Sequence, residues 1–496
     1  MSSSRCALTA PKSGARTRGG TAVTPTLAFA GIAVSVTQTL MVPLLAHLPT
    51  LLNTSSSNAA WVITVTLLAG AVATPVLGRL GDMVGKRRML LIALSFLVVG
   101  SLICGAESAL VPMLIGRALQ GFAIGAIPLG ISIMRDELPP EKLGSAMGLM
   151  SSSLGIGGAL GLPASALVAE HFNWHILFFG AAALGALAIA LVVVFVPESA
   201  VRTPGRFDFP GAIGLSAGLI ALLLGISKGG DWGWGTGRTL GCFIGALVIL
   251  VLWGVMELRT AEPLVDLRTS ARLPVLLTNL ASILVGFALY ANQLVPIQLL
   301  QLPKSTGYGL GQSMVVAGLC VAPAGVMMMA VSPFGARLIR KRGPKTALMT
   351  GIVVLGLAYV FGLGLLHGPW QLALLCAMVG CGTGLAYAAM PTLIIQAVPT
   401  SETAAANGLN TLMRSVGTSS SSAVIGMVLA HMTTQFGAVA VPSLAGFRTT
   451  FLICCGACIV AFLVAAAIPG FRPGSILADS SADAENTADT PVLTRQ

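Results

Sequence analysis

The sequence is poor in charge. Only 9% of its 496 residues are charged and 6% are aromatic, whereas about 25% of a typical soluble domain is charged. Hydrophobic residues account for 55%, 59 glycines come in addition to them, and the mean hydropathy is +0.89. This composition excludes a water-soluble globule, and it equally excludes a disordered, collagen-like or coiled-coil chain. We therefore expect an integral membrane protein with many helices.

Several chemical motifs are also missing. The sequence has no G-x-x-x-x-G-K-[ST] loop for nucleotide phosphates, which excludes a pump driven by ATP through such a loop. It has no H-E-x-x-H pair, and its nine cysteines lie almost entirely within apolar runs. Cys455 and Cys458 form a C-x-x-C at lipid depth, where neither a redox nor a zinc site is expected. The sequence thus predicts no enzyme, no cofactor and no metal site.

Fourteen apolar segments are each about long enough to cross a bilayer, whose core of about 30 Å needs roughly 20 helical residues. They are expected to be helices because backbone polar groups in lipid must find partners within the segment. The predicted spans are 26–46, 59–79, 89–106, 109–134, 143–168, 176–196, 210–227, 238–256, 274–296, 312–334, 346–366, 370–397, 405–431 and 447–469. The segments before and after them, 1–25 and 471–496, are predicted to be disordered tails.

Lysine and arginine are distributed unevenly between the predicted loops. If the N-terminus is cytoplasmic, 22 of the 28 fall on the cytoplasmic side, four fall outside, and Arg117 and Arg414 lie within helices. The positive-inside rule then places both termini in the cytoplasm. It also explains the net charge of +11 without nucleic acid as a partner. No secretory signal peptide precedes the first span, and a plasma membrane location is expected.

The sequence repeats itself weakly at a shift of about 260 residues. The run from Thr74 to Leu80 is similar to the run from Ser332 to Leu338, and Gly121 corresponds to Gly380. Parallel repeats of this kind are typical of transporters built from two halves. We therefore expect an all-α fold with a six-helix half at 26–200, two linker helices at 201–272 and a second six-helix half at 273–470.

Three motifs carry a resemblance to a known family. The loop Gly78-Arg-Leu-Gly-Asp82-Met-Val-Gly85-Lys86-Arg87 resembles the G-x-L-x-D-R-x-G-R/K-R/K loop of the major facilitator superfamily, with methionine at one usually basic position. The pattern Arg117-x-x-Gln120-Gly121-x-x-x-Gly125 is similar to the motif of the family's fourth helix. The run Gly157-x-x-x-Gly161-x-Pro163 resembles the antiporter motif of its fifth helix, although the proline comes one residue late.

The resemblance implies the major facilitator fold, and the helix count is similar to that of the fourteen-helix drug/proton antiporters. It implies a monomeric transporter that exports small amphipathic organic molecules by alternating access, with the proton as coupling ion. Two features depart from that group. The first helix reads Thr37-Gln38-Thr39 where the group usually carries an aspartate, and Arg340 stands where the second loop copy would match Asp82.

The first motif is interpreted as a conformational gate formed by Gly78, Asp82, Gly85, Lys86 and Arg87. Asp82 is expected to accept hydrogen bonds from the start of a neighbouring helix and to pair with an arginine. Such a contact biases a two-state equilibrium only if it differs between the states. The alternative is a solvated loop carboxylate without a role in gating.

Polar residues within the predicted spans are candidates for a substrate cavity or for coupling. A mid-helix arginine costs about 2.5–3.5 kcal/mol on insertion scales, so it normally faces water or a partner. Arg117 and Arg414 therefore either line a cavity, which predicts neutral or anionic substrates, or lock helices together. The candidates are Gln38, Thr39, Arg117, Gln120, Asn279, Tyr290, Asn292, Asn407, Asn410 and Arg414. Gly121, Gly125, Gly157, Gly161 and Pro163 are expected to serve helix packing.

The sequence offers no aspartate or glutamate near the middle of a span. The nearest carboxylates, Glu107 and Glu170 at one end and Asp82, Asp136 and Glu198 at the other, lie at helix ends. Proton coupling usually requires a titratable group that changes its exposure, and the sequence does not assign one. Two alternatives therefore stay open, a uniporter or carrier of a specific anionic or neutral metabolite, and a membrane sensor that transports nothing.

Overall fold

The computed structural model of the chain describes residues 20–41, 44, 48–199, 205–364, 366–399, 402–436 and 439–469, and it is almost entirely helical. The predicted tails fall largely outside these residues. The helices are α1 (Gly20–Thr39), α2 (Leu48–Leu51), α3 (Ser56–Val84), α4 (Lys86–Ala106), α5 (Leu110–Phe122), α6 (Ala126–Glu137), α7 (Pro140–His171), α8 (His175–Phe195), α9 (Phe209–Trp232), α10 (Gly237–Arg259), α11 (Leu267–Ser270), α12 (Leu273–Gln301), α13 (Met314–Arg342), α14 (Pro344–Gly362), α15 (Pro369–Ala397), α16 (Thr403–His431) and α17 (Leu444–Ala467).

Thirteen of the described helical segments are long and apolar enough to cross a membrane. One of them, Leu110–Glu137, consists of α5 and α6 joined by the 3-10 turn Ala123–Gly125. Helix α16 is 29 residues long and packs against α3, α9 and α12, but it is too polar to meet the same criterion. Thirteen of the described segments thus meet the criterion where the sequence predicted fourteen spans, and α16 corresponds to the remaining predicted span, 405–431.

The two halves repeat one another in their helix bounds. Helix α13 begins and ends 258 residues after α3. Gly85 and Gly343 follow these two helices with φ of +131° and +87°, a region that residues with a side chain rarely adopt. The segment Leu110–Glu137 recurs as α15. The matching bounds support the sequence repeat of about 260 residues.

Each half has its own hydrophobic core, and the halves meet along two seams. Helices α3–α8 with α1 enclose one set of buried residues, and α12–α17 enclose another. Across the halves, α7 packs on α13 and α3 packs on α16. The pair α9 and α10 stands beside the second seam, where α9 contacts both α3 and α16.

Most basic connections gather at one end of the bundle, which we call the basic end. There Lys345 at the start of α14 donates to the Ala466 carbonyl of α17 at 2.7 Å, and Arg272 donates to the Ala397 carbonyl at 3.0 Å. At the opposite end a short hairpin pairs Thr433–Phe436 with Val439–Pro442, which the sequence did not predict. Helix α1 begins at Gly20, earlier than the expected span at residue 26.

Candidate gate and buried polar residues

Asp82 joins the two halves at the basic end. It lies in the last turn of α3 and is 1% exposed, and its Oδ2 accepts a hydrogen bond of 3.1 Å from the amide of Ala405 in the first turn of α16. The first four amides of a helix have no partner within the helix, and its N-terminus favours an anion. The structure therefore places Asp82 at the start of a neighbouring helix, as the sequence interpretation expected.

The cation beside Asp82 is a lysine, not the expected arginine. Lys86 is fully buried, and its Nζ lies 3.6 Å from Oδ1 of Asp82 and 2.7 Å from Oδ2 of Asp136 on α6. Ser199 also donates to Oδ2 of Asp136. One lysine thus connects α3, α4 and α6 behind the contact with α16, and it offsets the charge of two buried carboxylates.

Arg87 and Gly85 face the other side of this loop. The Arg87 amide donates to Oε1 of Glu198 at 3.2 Å, and its guanidinium donates to the Val193 carbonyl of α8 at 2.7 Å. A Cβ built at Gly85 would lie 2.7 Å from the Glu198 carboxylate. These two motif residues therefore fix the loop against α8 within one half, while Asp82 makes the contact across the halves.

Arg135 makes a second charged contact between the halves. It lies on α6, and its guanidinium donates to the carbonyls of Pro399 at 3.4 Å and Val398 at 3.3 Å and to the Thr403 hydroxyl. These carbonyls follow the C-terminus of α15, where a cation is favourable. The junction of α15 and α16 is thus held by two charged residues of the first half. Asp82 binds the start of α16, and Arg135 binds the end of α15.

Small residues bring the seams close together. A Cβ at Gly78 would lie 2.8 Å from the Ala404 carbonyl of α16, and a Cβ at Gly325 of α13 would meet the backbone of Gly155 on α7. Within the first half, Gly157 and Gly161 face Ser35 and Thr39 of α1. Close approach through small residues is the usual way in which membrane helices pack.

The other residues predicted to serve helix packing also lie at close contacts between helices. Gly121 faces the Thr66 carbonyl of α3, at 2.5 Å from a built Cβ, and Gly125 faces Leu77 of α3. Pro163 lies within α7, where a Cβ at Gly318 of α13 would be 3.2 Å from it. Pro163 therefore belongs to the seam between the halves.

Arg117 is buried inside the first half. It is 2% exposed, and NH1 donates to the Thr37 carbonyl of α1 at 3.1 Å and to Oε1 of Gln120 at 2.8 Å. Its Nε donates to the Val62 carbonyl of α3 at 3.4 Å, and Gln120 donates to Ser101 of α4 at 2.8 Å. The two residues of this motif therefore connect four helices through neutral acceptors.

Arg414 is buried inside the second half. It is 7% exposed, its guanidinium lies 4.7 Å from the ring centre of Tyr387 on α15, and it donates to the Thr411 hydroxyl at 3.1 Å. A guanidinium over an aromatic face is a favourable cation–π contact. Both arginines are thus enclosed in their own halves in this conformation.

The polar face of α16 meets polar residues of α12. Asn410 donates to Asn279 at 2.9 Å and to Ser282 at 2.7 Å. The Asn407 amide donates to the Thr403 carbonyl at 2.9 Å, while its buried Oδ1 has no partner among the described residues. Polar candidates from α12 and α16 therefore face one another in a single interface between these two helices.

The other polar candidates for the cavity lie at several different helix contacts. Thr39 donates to the Gly157 carbonyl at 3.2 Å, so it serves the packing of α1 on α7. Gln38 is half-buried on α1. Tyr290 contacts Ser422 of α16, and Asn292, which contacts Cys376, keeps a buried Oδ1 without a partner in the described part of the chain. Among these, only Tyr290 joins the α12–α16 interface directly.

Two cavities lie at the ends of the bundle. One of about 490 Å³ at the end opposite to the basic end is lined by Phe172, Trp174 and His175. One of about 350 Å³ lies between α7 and α13 and is lined by Lys142, Ser145 and Ser332. Arg117, Asn292, Asn407 and Arg414 line neither of these two openings.

Two buried or clamped charged residues were not singled out from the sequence. Arg135 was counted only as a loop charge, because nothing local in the sequence shows that it reaches the end of α15. Glu257 was not singled out either, although it is 2% exposed on α10. A single glutamate directly after the predicted span 238–256 gives a weak signal, and Asp208, whose carboxyl group lies near it at Gly211, is distant in sequence.

The architecture defines a multi-pass membrane transporter built from two helical halves. The family model of the Major Facilitator Superfamily matches residues 27–422, and the chain belongs to this family. This confirms the resemblance seen in the sequence motifs.

Relatives and solved structures agree with this assignment. The chain is 28% identical over 385 residues to the tetracenomycin C resistance and export protein of Streptomyces glaucescens, covering 76% of this chain and 70% of that protein. It is 26% identical over 391 residues to multidrug resistance protein 3 of Bacillus subtilis (strain 168), with coverage of 77% and 74%.

A third relative, the MFS-type transporter YhcA of Bacillus subtilis (strain 168), is 29% identical over 330 residues, which span 66% of this chain and 60% of YhcA. Among solved structures, the human organic anion transporter MFSD10 has a TM-score of 0.63 at 15% identity, covering 90% of this chain and 99% of that one. At this identity the structural likeness supports the fold alone.

Proposed function

We propose that this protein is a secondary active exporter of amphipathic organic compounds, with the proton as coupling ion. The relatives named for multidrug resistance and tetracenomycin export support the direction and the substrate class. The antiporter-like glycines on α7 pack against α1, and Pro163 of the same motif lies at the contact with Gly318 of α13, a contact between the halves that alternating access would have to change. The proposed location is the plasma membrane, with the basic end in the cytoplasm and the protein acting as a monomer.

The observation that carries the proposal is the charged clamp at the basic end. Asp82 and Arg135 hold the junction of α15 and α16, and the other described seam contacts involve neutral groups. Breaking the clamp would allow α3 and α16 to separate at this end while the cores of the two halves stay intact. This is the motion that alternating access requires.

The buried arginines are proposed to lock helices within each half. Arg117 donates to carbonyls of α1 and α3, and Arg414 packs on Tyr387 of α15, so each connects helices of its own half. Asn292 and Asn407 are better candidates for substrate contact, because each keeps a buried amide oxygen that could accept a hydrogen bond. The arginines then give no reason to expect a preference for anionic substrates.

Transport by purified protein in vesicles tests the proposal. We expect an amphipathic substrate to accumulate when a pH gradient is imposed, and the accumulation to collapse when a protonophore removes the gradient. A panel of neutral, anionic and cationic compounds defines the substrate charge. Transport that proceeds only down the substrate gradient, with no response to pH, would instead indicate a uniporter.

Orientation is tested separately by thiol labelling. Single cysteines at positions 304 and 342 are expected to be labelled from outside and from inside respectively. Labelling of position 342 from outside would contradict the proposed topology.

A further inference from the structure

Two carboxylates face each other at the basic end of the α9–α10 pair. Asp208 precedes α9, and its Oδ1 accepts from the Gly211 amide at 2.8 Å. Glu257 lies in the last turns of α10 and is 2% exposed, and its Oε1 accepts from the Val265 amide at 2.8 Å. One oxygen of each carboxylate is therefore bound to the backbone.

The second oxygens have no donor. Oδ2 of Asp208 and Oε2 of Glu257 are both buried and accept no hydrogen bond from the described residues. The two carboxyl groups are neighbours whose charges interact. Both oxygens also lie around the same point, since a Cβ at Gly211 would meet Oδ2 of Asp208 and would be 2.8 Å from Oε2 of Glu257.

The charges around the pair do not supply a counter-ion. Neither carboxylate is within ion-pair distance of a lysine or arginine in the ranges that the structure describes. Nearby, Glu262 accepts from the Arg206 amide, Asp266 accepts from the Arg268 amide at 2.8 Å, and the Arg268 side chain donates to the Leu258 carbonyl at 3.3 Å. Arg259 ends α10. Helices α3 and α16 contribute apolar residues to the cluster beside the pair, and Arg79, buried near the basic end of α3, forms no ion pair with either carboxylate among the described residues.

Two carboxylates in contact cannot both be ionised without a large cost, and such pairs hold one proton between them. A metal ion would need more ligands, since Ca²⁺ takes six to eight oxygens, and the described residues contain no cluster of three or more metal-binding side chains. We propose that Asp208 and Glu257 form a proton-binding site in which one proton is shared between Oδ2 and Oε2.

This site is connected to the seam between the halves. Glu257 holds the Val265 amide, and Leu264 and Val265 pack with Leu215 of α9, Ala71 of α3 and Leu412 of α16 in one hydrophobic cluster. Loss of the proton leaves two negative charges facing each other, which pushes the base of α9 away from the end of α10. The proton thus stabilises the packing of the α9–α10 pair beside α3 and α16.

Thermal unfolding of the purified full-length protein at different pH values tests the site without reference to transport. The protonated pair is the stable form, so the melting temperature of the wild type should fall as pH rises through the titration of the pair. One proton changes the unfolding equilibrium by at most tenfold per pH unit. Glu257→Gln should weaken this dependence relative to the wild type, because glutamine can accept from Val265 and donate to Asp208 at any pH.

The matched control is Glu262→Gln, which changes an acid of the same loop that is bound to the Arg206 amide. This variant should keep the pH dependence of the wild type. An equal pH dependence in wild type and Glu257→Gln overturns the proposal. So does a melting temperature that rises with Na⁺ or K⁺ at constant ionic strength in the wild type only, since that result assigns a cation to the site.

Infrared spectroscopy provides a second readout on the folded protein. Carboxyl groups in water titrate near pH 4, whereas the shared proton should leave a carboxylic acid band at neutral pH. This band should be weaker in Glu257→Gln and in Asp208→Asn than in the wild type, and a band of equal intensity in all three proteins overturns the proposal. Arg202 lies outside the described residues. A melting temperature of the wild type that instead rises with pH, with that rise lost in Arg202→Gln, would replace the shared proton by an ion pair.

Discussion

Neutralising Asp82 is expected to open the basic end of the protein. In Asp82→Asn the side chain can still accept from the Ala405 amide, which lies 3.1 Å from Oδ2 in the wild type, but its charge is lost. Lys86 keeps its contact of 2.7 Å with Asp136, so no buried cation is left alone. The substitution therefore removes mainly the attraction between a carboxylate and the start of α16.

The size of the effect follows from the geometry. An anion at a helix N-terminus contributes about 0.3–1 kcal/mol when exposed and up to about 2 kcal/mol in a partly buried position. Asp82 is 1% exposed, so about 1–2 kcal/mol is reasonable. Since 1.4 kcal/mol corresponds to a factor of ten, separation of α3 and α16 should become about 5- to 30-fold more frequent. Asp82→Ala also loses the hydrogen bond and should have a larger effect.

Hydrogen exchange reports this separation directly. The first amides of α16 lack partners within the helix, so the exchange of Ala405 should accelerate by the same factor while the cores of the halves stay protected. Transport should fall, with little change in yield. Asp266→Asn is the matched control, because Asp266 caps α11 within one connection at 2.8 Å from the Arg268 amide and does not cross the seam.

The reasoning about Asp82 fails if exchange at the start of α16 is unchanged in both Asp82 variants. It also fails if transport is normal at saturating and at limiting substrate. Either result would reduce Asp82 to a loop residue that does not control the balance of states. Equal acceleration in Asp266→Asn would show a general loss of stability in place of a gate.

Three further predictions follow from buried contacts. Arg135→Gln should loosen the junction of α15 and α16 and lower transport, measured by the same exchange experiment, whereas Lys345→Gln, whose contact with the Ala466 carbonyl stays within the second half, should not. Gly325→Ala should lower the melting temperature, at a cost of about 1–3 kcal/mol, because a Cβ there meets backbone, while Gly426→Ala, which has open space, should be tolerated. Arg117→Gln should lower yield and melting temperature together and preserve transport per folded molecule; lost transport at normal yield would favour the cavity alternative.

Much of the architecture could be predicted from the sequence, because a helix that crosses a membrane is mostly apolar and therefore visible in the local composition. Apolar runs gave the long helices, and a shift of about 260 residues gave the two halves. The N-terminal bound of α1 and the hairpin near residue 436 were missed, since weakly apolar or short segments have no such constraint. Helix α16 shows the converse case, because its polar face lowers its hydropathy although it packs among the spans.

The candidate gate was predictable only in part. The motif around Asp82 indicated a helix start as its partner, and α16 is that partner. The identity of the cation was wrong, because Lys86 follows one turn later on the same side while Arg87 points to α8. Arg135 could not be assigned, since its partners lie more than 260 residues away. Contacts between halves leave no periodic signal within either helix.

The distribution of polar contacts suggests how the halves can move without losing their own structure. Deep within each half, Arg117 and Asn410 connect neighbouring helices through several hydrogen bonds, which are costly to break in a low-dielectric interior. Between the halves, the contacts are close glycine packing and single hydroxyl bonds such as Ser152 to the Met328 carbonyl at 2.9 Å. The charged contacts of Asp82 and Arg135 lie at one end only. Separation at that end therefore breaks a few strong contacts in one place, while each half remains a rigid unit.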